Sequence, residues 1–488
     1  MKKIIIIIAI IISAFNVKAQ TVTGNIVNEQ QEPIPYASVL IGPTYGVVSN
    51  TDGAFIIQIP EEPEADKVTI SSLGYESIEV PLSNFKQGAY VLKEQTTILD
   101  EVFITNVKLT PTEILTKVVE NAPKNYGSQT LKQTFFLRSS NTNRLIDSEV
   151  ELVRSSLVSK SKLKEVNKEM ESIMKRLLNQ SSENFSEYYG SLYQHGSDTK
   201  LNVEKAIELK NKERDISSDQ VSKKLIDILK KHLEHDASYK LKSGLFTLDD
   251  SLTINKPQKE EKPVSETASL RTTISSLTRS LNRFYTQKEL DFLTEFKRYK
   301  YTLEGYSTFN DETIYIINFE PEKNSARYYG KIYVNATDYA VVKLDYNLVD
   351  GKKAESINLK LLLGVKVVED RVKVSALYTK NEEGLYSVNF VKREKRSYIY
   401  AHRSLKLTKN KEDEDEDKKM LKMDVLIEID THATNELFII DKESISNAMY
   451  EGFREEERYD INYLSKYDPS VWKDYNALAP VDAIRNYK

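Results

Sequence analysis

The 488-residue sequence contains no cysteine, one tryptophan, five histidines and only 16 glycines. Without cysteine the chain has no disulfide, no thiolate nucleophile, no Cys-ligated zinc and no thiol for lipid attachment near an export cleavage site. Its 69 basic residues do not outnumber its 73 acidic ones, and the formal net charge of −4 excludes the basic surface that sequence-independent nucleic-acid binding requires. After the first nineteen residues no apolar run is long enough for a membrane-spanning helix. The nucleophile elbow GxSxG, the phosphate loop, GxGxxG and HExxH are all missing.

What is present begins with a leader. Lys2 and Lys3 precede the apolar run Ile4 to Phe15, and Val17-Lys18-Ala19 forms a small-x-small cleavage site. Residues 1–19 therefore read as a signal peptide, with Gln20 as the first mature residue. The expected product is exported, in the periplasm or at the outer membrane, with no membrane-spanning segment once the leader is cleaved.

Residues 20–105 read as a small β domain. Six strand candidates, "TVTGNIV", "YASVLIG", "GAFIIQIP", "KVTISSLGY", "SIEVPL" and "YVLKE", are separated by turn-forming stretches such as "SNTDG" and "EEPEAD". In "NTDGAF", Gly53 supplies the positive φ of a tight reversal and Phe55 drops into the core. The ordered set "GNIVNEQQEPIPYASVLI", "SNTDGAFIIQIP", "VTISSLGYESIEVPL" and "LDEVFI" resembles the carboxypeptidase-regulatory-like domain. That resemblance implies a seven-stranded transthyretin-like sandwich, an accessory module of exported bacterial proteins, and no reaction. With its own strands and turns, the sandwich is expected to fold alone.

Residues 106–488 read as an α+β domain. Thr110, Pro111 and Glu113 suit a capping box, followed by an apolar face of Ile114, Leu115, Val118, Val119 and Ala122. "LKQTFFLRSS" and "RLIDSEVELVRSSL" follow as two strands. Residues 159–300 read as a mostly helical, charged insert. It holds one helix striped by Leu163, Val166, Met170, Ile173, Met174, Leu177 and Leu178, and another carrying Val221, Leu225, Ile228, Leu229 and Leu233. Residues 255–269 read as an exposed loop, and a further helix is expected from Thr286, capped by Glu289, with Leu290, Leu293 and Phe296 inside. From 300 onward, hairpin-length connections join alternating strands into an antiparallel meander, with a tail over about 441–488. The expected fold is mainly β with helices: the sandwich, then a curved antiparallel sheet packed on helices. "IYIINFEPEKNSARYYGKIYVNATDYAVVKLDY" resembles the lipoprotein-carrier superfamily, which implies a half-barrel around helices over about 106–440 but places no ligand-binding residue.

Candidate chemistry is sparse. His232 and His235 in "HLEH" have metal-compatible spacing, but a charged, solvated helix end explains them better; His195, His402 and His432 have no local partner motif. "KEDEDEDKK" at 411–419 lacks the alternating ligands and glycine of a calcium loop and reads as a solvated hairpin tip. Trp472, in "YDPSVWKDYNALAP", is a docking anchor or, preferably, a core residue of the tail. No catalytic, metal or cofactor residue is nominated. The expected function is a non-enzymatic envelope protein: an interaction module joined to a domain that handles an apolar ligand or a lipoprotein, with an envelope protein as the other partner class. The alternative is a periplasmic hydrolase of peptide or glycan whose carboxylates come together only in the fold. "TIYIINF" is apolar on both faces and so must be covered on both. Helices cover one side, and either the insert or an acyl chain covers the other.

Overall fold

The computed structural model describes residues 20–42, 45–95, 109–127, 129–178, 180–211, 227, 233, 237–244, 246–253, 264–286, 290–310, 312–410 and 419–487. Residues 1–19, the segment 221–235 apart from Asp227 and Leu233, with most of its predicted helix and both histidines of HLEH, and the acidic run 411–418 lie outside the described residues.

The N-terminal domain has seven strands: β1 (Gln20–Val27), β2 (Ser38–Ile41), β3 (Tyr45–Val48), β4 (Ala54–Ile59), β5 (Lys67–Ser71), β6 (Ile78–Pro81) and β7 (Gly88–Val91). They form two sheets, β4-β1-β7 and β3-β2-β5-β6, with β1 and β7 parallel and the other pairs antiparallel. Ile26, Val39, Ile41, Phe55, Ile57, Val68 and Ile70 fill the space between them. β3 has no counterpart among the six predicted strands because its "YGVV" is too short to show alternation. The reversal before Phe55 is built on Gly53 at φ +72°, while the Asn50 side chain accepts hydrogen bonds from the Asp52 and Ala54 amides.

The chain after the sandwich opens with α1 (Pro111–Asn125). Its capping box is present in full: Thr110 Oγ1 accepts from the Glu113 amide and the Glu113 carboxylate accepts from the Thr110 amide. There follow β8 (Thr130–Ser155), α2 (Lys160–Leu177), β9 (Ser181–His195), β10 (Asp198–Leu209), β11 (Ser238–Ser243), β12 (Phe246–Thr253), β13 (Val264–Glu266) and α3 (Thr267–Asn282). The meander comprises β14 (Tyr299–Phe309), β15 (Glu312–Pro321), β16 (Tyr328–Asn335), β17 (Val341–Leu348), β18 (Glu355–Leu359), the one-turn α4 (Lys360–Leu363), β19 (Val365–Lys380), β20 (Tyr386–Lys409) and β21 (Met420–Ser444). The tail adds α5 (Asn447–Gly452), β22 (Arg458–Asp460), β23 (Asn462–Leu464) and α6 (Asp482–Arg485).

One 14-stranded sheet runs β14-β15-β16-β17-β19-β20-β21-β8-β9-β10-β23, with β18 on β19 and the β11–β12 hairpin on β20. Its central strands are buried on both faces. Phe135, Leu137, Val391, Leu437 and Ile439 face a core shared with α1 and α3; their neighbours Phe136, Phe390, Phe438 and Ile440 face a core shared with the sandwich and the tail. Period-2 alternation thus splits apolar runs such as "FFL" and "LFII" between two cores. A third core lies at the far ends of the long strands, where Val166, Met170, Met174 and Leu177 of α2 pack on Leu145, Val150, Leu152, Tyr239 and Met423. The striped helix therefore covers a sheet.

Several expectations need correction. Among the described residues of 159–300, strand outweighs helix, so that part is not a mostly helical insert. β9 and β10 form a hairpin in the main sheet, turning at Gly196 with φ +59°; alternate residues of "NFSEYYGSLYQH" face opposite sides of the sheet, with Phe185 and Glu187 buried on one of them. The helix near the end of this region spans Thr267–Asn282 and starts within the predicted loop, not at Thr286. Its buried stripe is Leu270, Ile274, Leu277 and Leu281, whereas Asp291–Leu293 forms only a 3-10 turn that buries Phe292 and Leu293. The two strands expected over 131–157 are one continuous strand. "SINLKLLLGVKVV" is broken by α4, because Gly364 takes φ +64°. β21 extends to Ser444, so the first residues of the expected tail belong to the sheet.

Candidate functional site

α3 carries the sequence "TASLRTTISSLTRSLN". Its apolar stripe docks on the sheet, and hydroxyls and two arginines occupy the flanks of that stripe. Beside it lies a cleft of about 640 Å³. Arg271, Ser275, Ser276, Arg279 and Ser280 line it from the helix, Arg327 from the approach to β16, and Arg393 from β20. Val372, Val374, Tyr328 and Tyr346 line it from the sheet. A second cavity of about 670 Å³ continues under the same helix and shares Ser276, Leu277 and Arg393 with the first. Lys395, Asn141, Asn435, Tyr188 and Tyr459 are among its lining residues.

Strand alternation delivers the charge. In "VKREKR", Lys392 points to the sandwich and donates to Tyr36 Oη at 3.0 Å, while Arg393 and Lys395 point to the helix side. Three of the four arginines of the first cleft differ in how they are held. Arg271 pairs with Glu455 of the tail. Arg327 Nη1 donates to the Ala354 carbonyl at 2.9 Å. Arg393 lies 3.8 Å from Glu369, whose other oxygen takes Lys395 Nζ at 2.6 Å. Burial raises the Tyr328 phenol above its ordinary pKa, and the charges of Arg327 and Arg393 pull it back. Glu355 is the acid lining the first cleft and Glu266 the acid lining the second, so neither cavity brings two carboxylates together among its lining residues. The arrangement is built to hold negative charge against hydroxyls; it offers no general acid–base pair.

The residues singled out in the sequence lie elsewhere. His195 Nδ1 is 2.8 Å from Thr130 Oγ1 at the end of β9, His402 is exposed on β20, and His432 is an exposed neighbour of Asp430 at 3.7 Å. Among the described residues no three His, Asp or Glu side chains form a metal-binding group. Trp472 is buried in the core shared by sheet, sandwich and tail. The face of "TIYIINF" toward the helices is occupied by the chain itself, with Phe292 stacked on Phe319 at 4.3 Å. Sequence reading missed the cleft because its arginines come from α3, a loop and β20. The hydroxyl-and-arginine spacing of "RTTISSLTRS" was the one local signal for it.

Two solved structures align with much of the chain. A protein of unknown function from Bacteroides fragilis NCTC 9343, described as membrane-associated, is 9% identical and covers 85% of this chain and 97% of its own, with a TM-score of 0.12. The TodX monoaromatic hydrocarbon channel, as its deltaS2 mutant, is 6% identical and covers 65% of this chain and 92% of its own, with a TM-score of 0.10. Such scores carry no argument about this chain. Curated proteins yield no match, and no catalytic family is found. A family model does match residues 22–104, the segment whose seven strands form the two facing sheets, and this N-terminal segment is a CarboxypepD_reg-like domain.

Proposed function

We propose that the protein is a non-enzymatic, exported cell-envelope protein that binds an anionic ligand in the cleft beside α3, with the sandwich as its interaction module. The observation that carries this reading is the convergence of Arg271, Arg279, Arg327 and Arg393 on one hydroxyl-lined cavity of about 640 Å³ with a single lining acid. Guanidinium groups hold phosphate or carboxylate oxygens in bidentate geometry, and the serine and threonine hydroxyls of α3 supply further donors. The apolar-ligand expectation is modified accordingly: the helix-bearing face is packed with the chain's own residues, and what remains open is cationic. The hydrolase alternative gains nothing from this cleft, because it lacks a second carboxylate.

Titration calorimetry with a water-soluble, short-chain phosphatidylglycerol tests the reading. Saturable binding is expected, weakened at least about tenfold when Arg279→Ala and Arg393→Ala are combined, a loss in the range of charge-assisted hydrogen bonds. Absence of saturable binding, or an unchanged affinity in the double variant, overturns it.

A further inference from the structure

Among the described residues nine large apolar side chains are exposed, and five of them, Phe246, Ile357, Leu359, Leu361 and Leu362, sit at one edge of the main sheet. Leu361 and Leu362 are 101% and 83% exposed. An isolated helical turn of four residues has no stability of its own, and leucines that touch nothing add none. Yet the backbone of α4 is firmly held. Gly364 closes it in the left-handed region, where a Cβ would lie 2.0 Å from the His402 carbonyl oxygen. The Arg403 guanidinium donates to the Leu363 carbonyl and, at 2.8 Å, to Ser243 Oγ. Arg403 thereby ties α4 to the end of β11, whose hairpin partner β12 begins at Phe246. β18, exposed along its whole length, pairs among the described residues only with β19 and forms the rest of this edge.

The same edge is cationic on a chain that is acidic overall. Lys352, Lys353, Lys366, Arg371 and Arg396 line a hollow of about 460 Å³ beside β18, against Asp350 and Asp370. Lys360, on α4 itself, lies over the Tyr400 ring at 3.9 Å. Protruding leucines surrounded by lysines are suited to a lipid surface: the apolar tip enters the acyl boundary while the cations remain among the headgroups.

We infer that the β18–α4 edge, together with the β11–β12 turn, is a membrane-docking wedge that inserts Leu361 and Leu362 into a bilayer bearing anionic headgroups. The wedge shares none of the arginines of the cleft beside α3, which it meets at Glu355, the first residue of β18. The test is vesicle co-sedimentation of the chain beginning at Gln20, where the described elements start, so that the apolar leader contributes nothing. Phosphatidylcholine vesicles are compared with vesicles that also contain phosphatidylglycerol. Binding to the anionic vesicles is expected to weaken with added salt and to fall at least about tenfold in Leu361→Ser with Leu362→Ser. Lys353→Glu with Lys366→Glu is expected to abolish the preference for phosphatidylglycerol. Circular dichroism of both variants should match the parent, because none of the four side chains is buried. Failure of the parent to sediment with anionic vesicles overturns the inference, as does equal binding by the leucine variant. So does a parent dimer, seen by light scattering without lipid, that the leucine variant abolishes, because the wedge then meets a second copy.

Discussion

Trp472 Nε1 donates to one carboxylate oxygen of Glu187 while Arg138 Nε donates to the other at 2.7 Å. Arg138 in turn donates to the carbonyls of Leu478 at 2.7 Å and Ala479 at 3.0 Å. A charged pair on adjacent central strands thus fastens a tail whose Asn476, Ala479 and Lys473 receive hydrogen bonds from the sandwich at Gln58 and Asn50. The tail is a clasp between sheet and sandwich, and the sandwich core continues through Phe136, Phe390 and Trp472 into the sheet.

Breaking the clasp should be costly. Trp472→Ala removes a ring that meets Phe136 edge-on at 5.2 Å and is expected to destabilise the protein by about 3–5 kcal/mol. Glu187→Gln leaves Arg138, only 3% exposed, without its counter-charge, at a cost of about 3–5 kcal/mol. Urea unfolding measures both, and intact stability in either variant contradicts the clasp.

Gly53 has no tolerable replacement by a β-branched residue. Its φ of +72° is strained for any side chain, and a Cβ there would lie 2.4 Å from the Ile26 carbonyl oxygen. Gly53→Val is expected to cost about 1–3 kcal/mol or more through backbone strain. Thermal unfolding of the full chain reads the shift.

Ile274, fully buried on α3, sets how firmly that helix holds the cleft wall. Ile274→Ala is expected to cost about 2–5 kcal/mol. It should also weaken ligand binding, because Arg271 and Arg279 ride on the same helix. Denaturation together with calorimetry separates the two effects.

Lys442 Nζ donates to Ser387 Oγ at 2.8 Å and Thr379 Oγ1 at 3.0 Å. Burial pushes its pKa down from 10.5 to about 7, against the opposing attraction of Asp441. Between about pH 7 and pH 10.5 the unfolded chain holds a proton that the folded chain has released, so this group makes stability rise with pH across that window. Below about pH 7 both states are protonated and the gain is absent. Lys442→Met should flatten the rise, as urea titrations over a pH series will show. An identical slope in the variant excludes Lys442 as its source.

Local patterns were legible wherever one residue's chemistry dictates its own backbone. The capping box at Thr110, the reversal at Gly53 and the α2 stripe from Leu163 to Leu178 all follow from spacing alone. β9 was misread because charge within "SENFSEYYG" masks a period-2 strand whose buried members include Phe185 and Glu187. The cleft beside α3 was not legible. Arg271, Arg327 and Arg393 are far apart in the chain, and only the pairing of β16, β17, β19 and β20 beneath one helix assembles them.

The family resemblance supplied the seven-stranded form of the sandwich; by itself the sequence determined that the N-terminal segment is a small domain of short strands, that the chain is mainly β with helices, and that thiol chemistry is absent. These rest on composition, on turn residues and on a period-2 pattern that each strand carries within itself. Tertiary structure alone decided which face of each doubly apolar strand meets the helices and which meets the sandwich. Alternation specifies that two faces exist, but only packing chooses their partners. It also decided that Trp472 clasps rather than docks, since its partners Glu187 and Arg138 are reached only through strand pairing. Finally, it left Leu361 and Leu362 outside every core: a glycine at φ +64° turns the chain there, and no other described element lies over them.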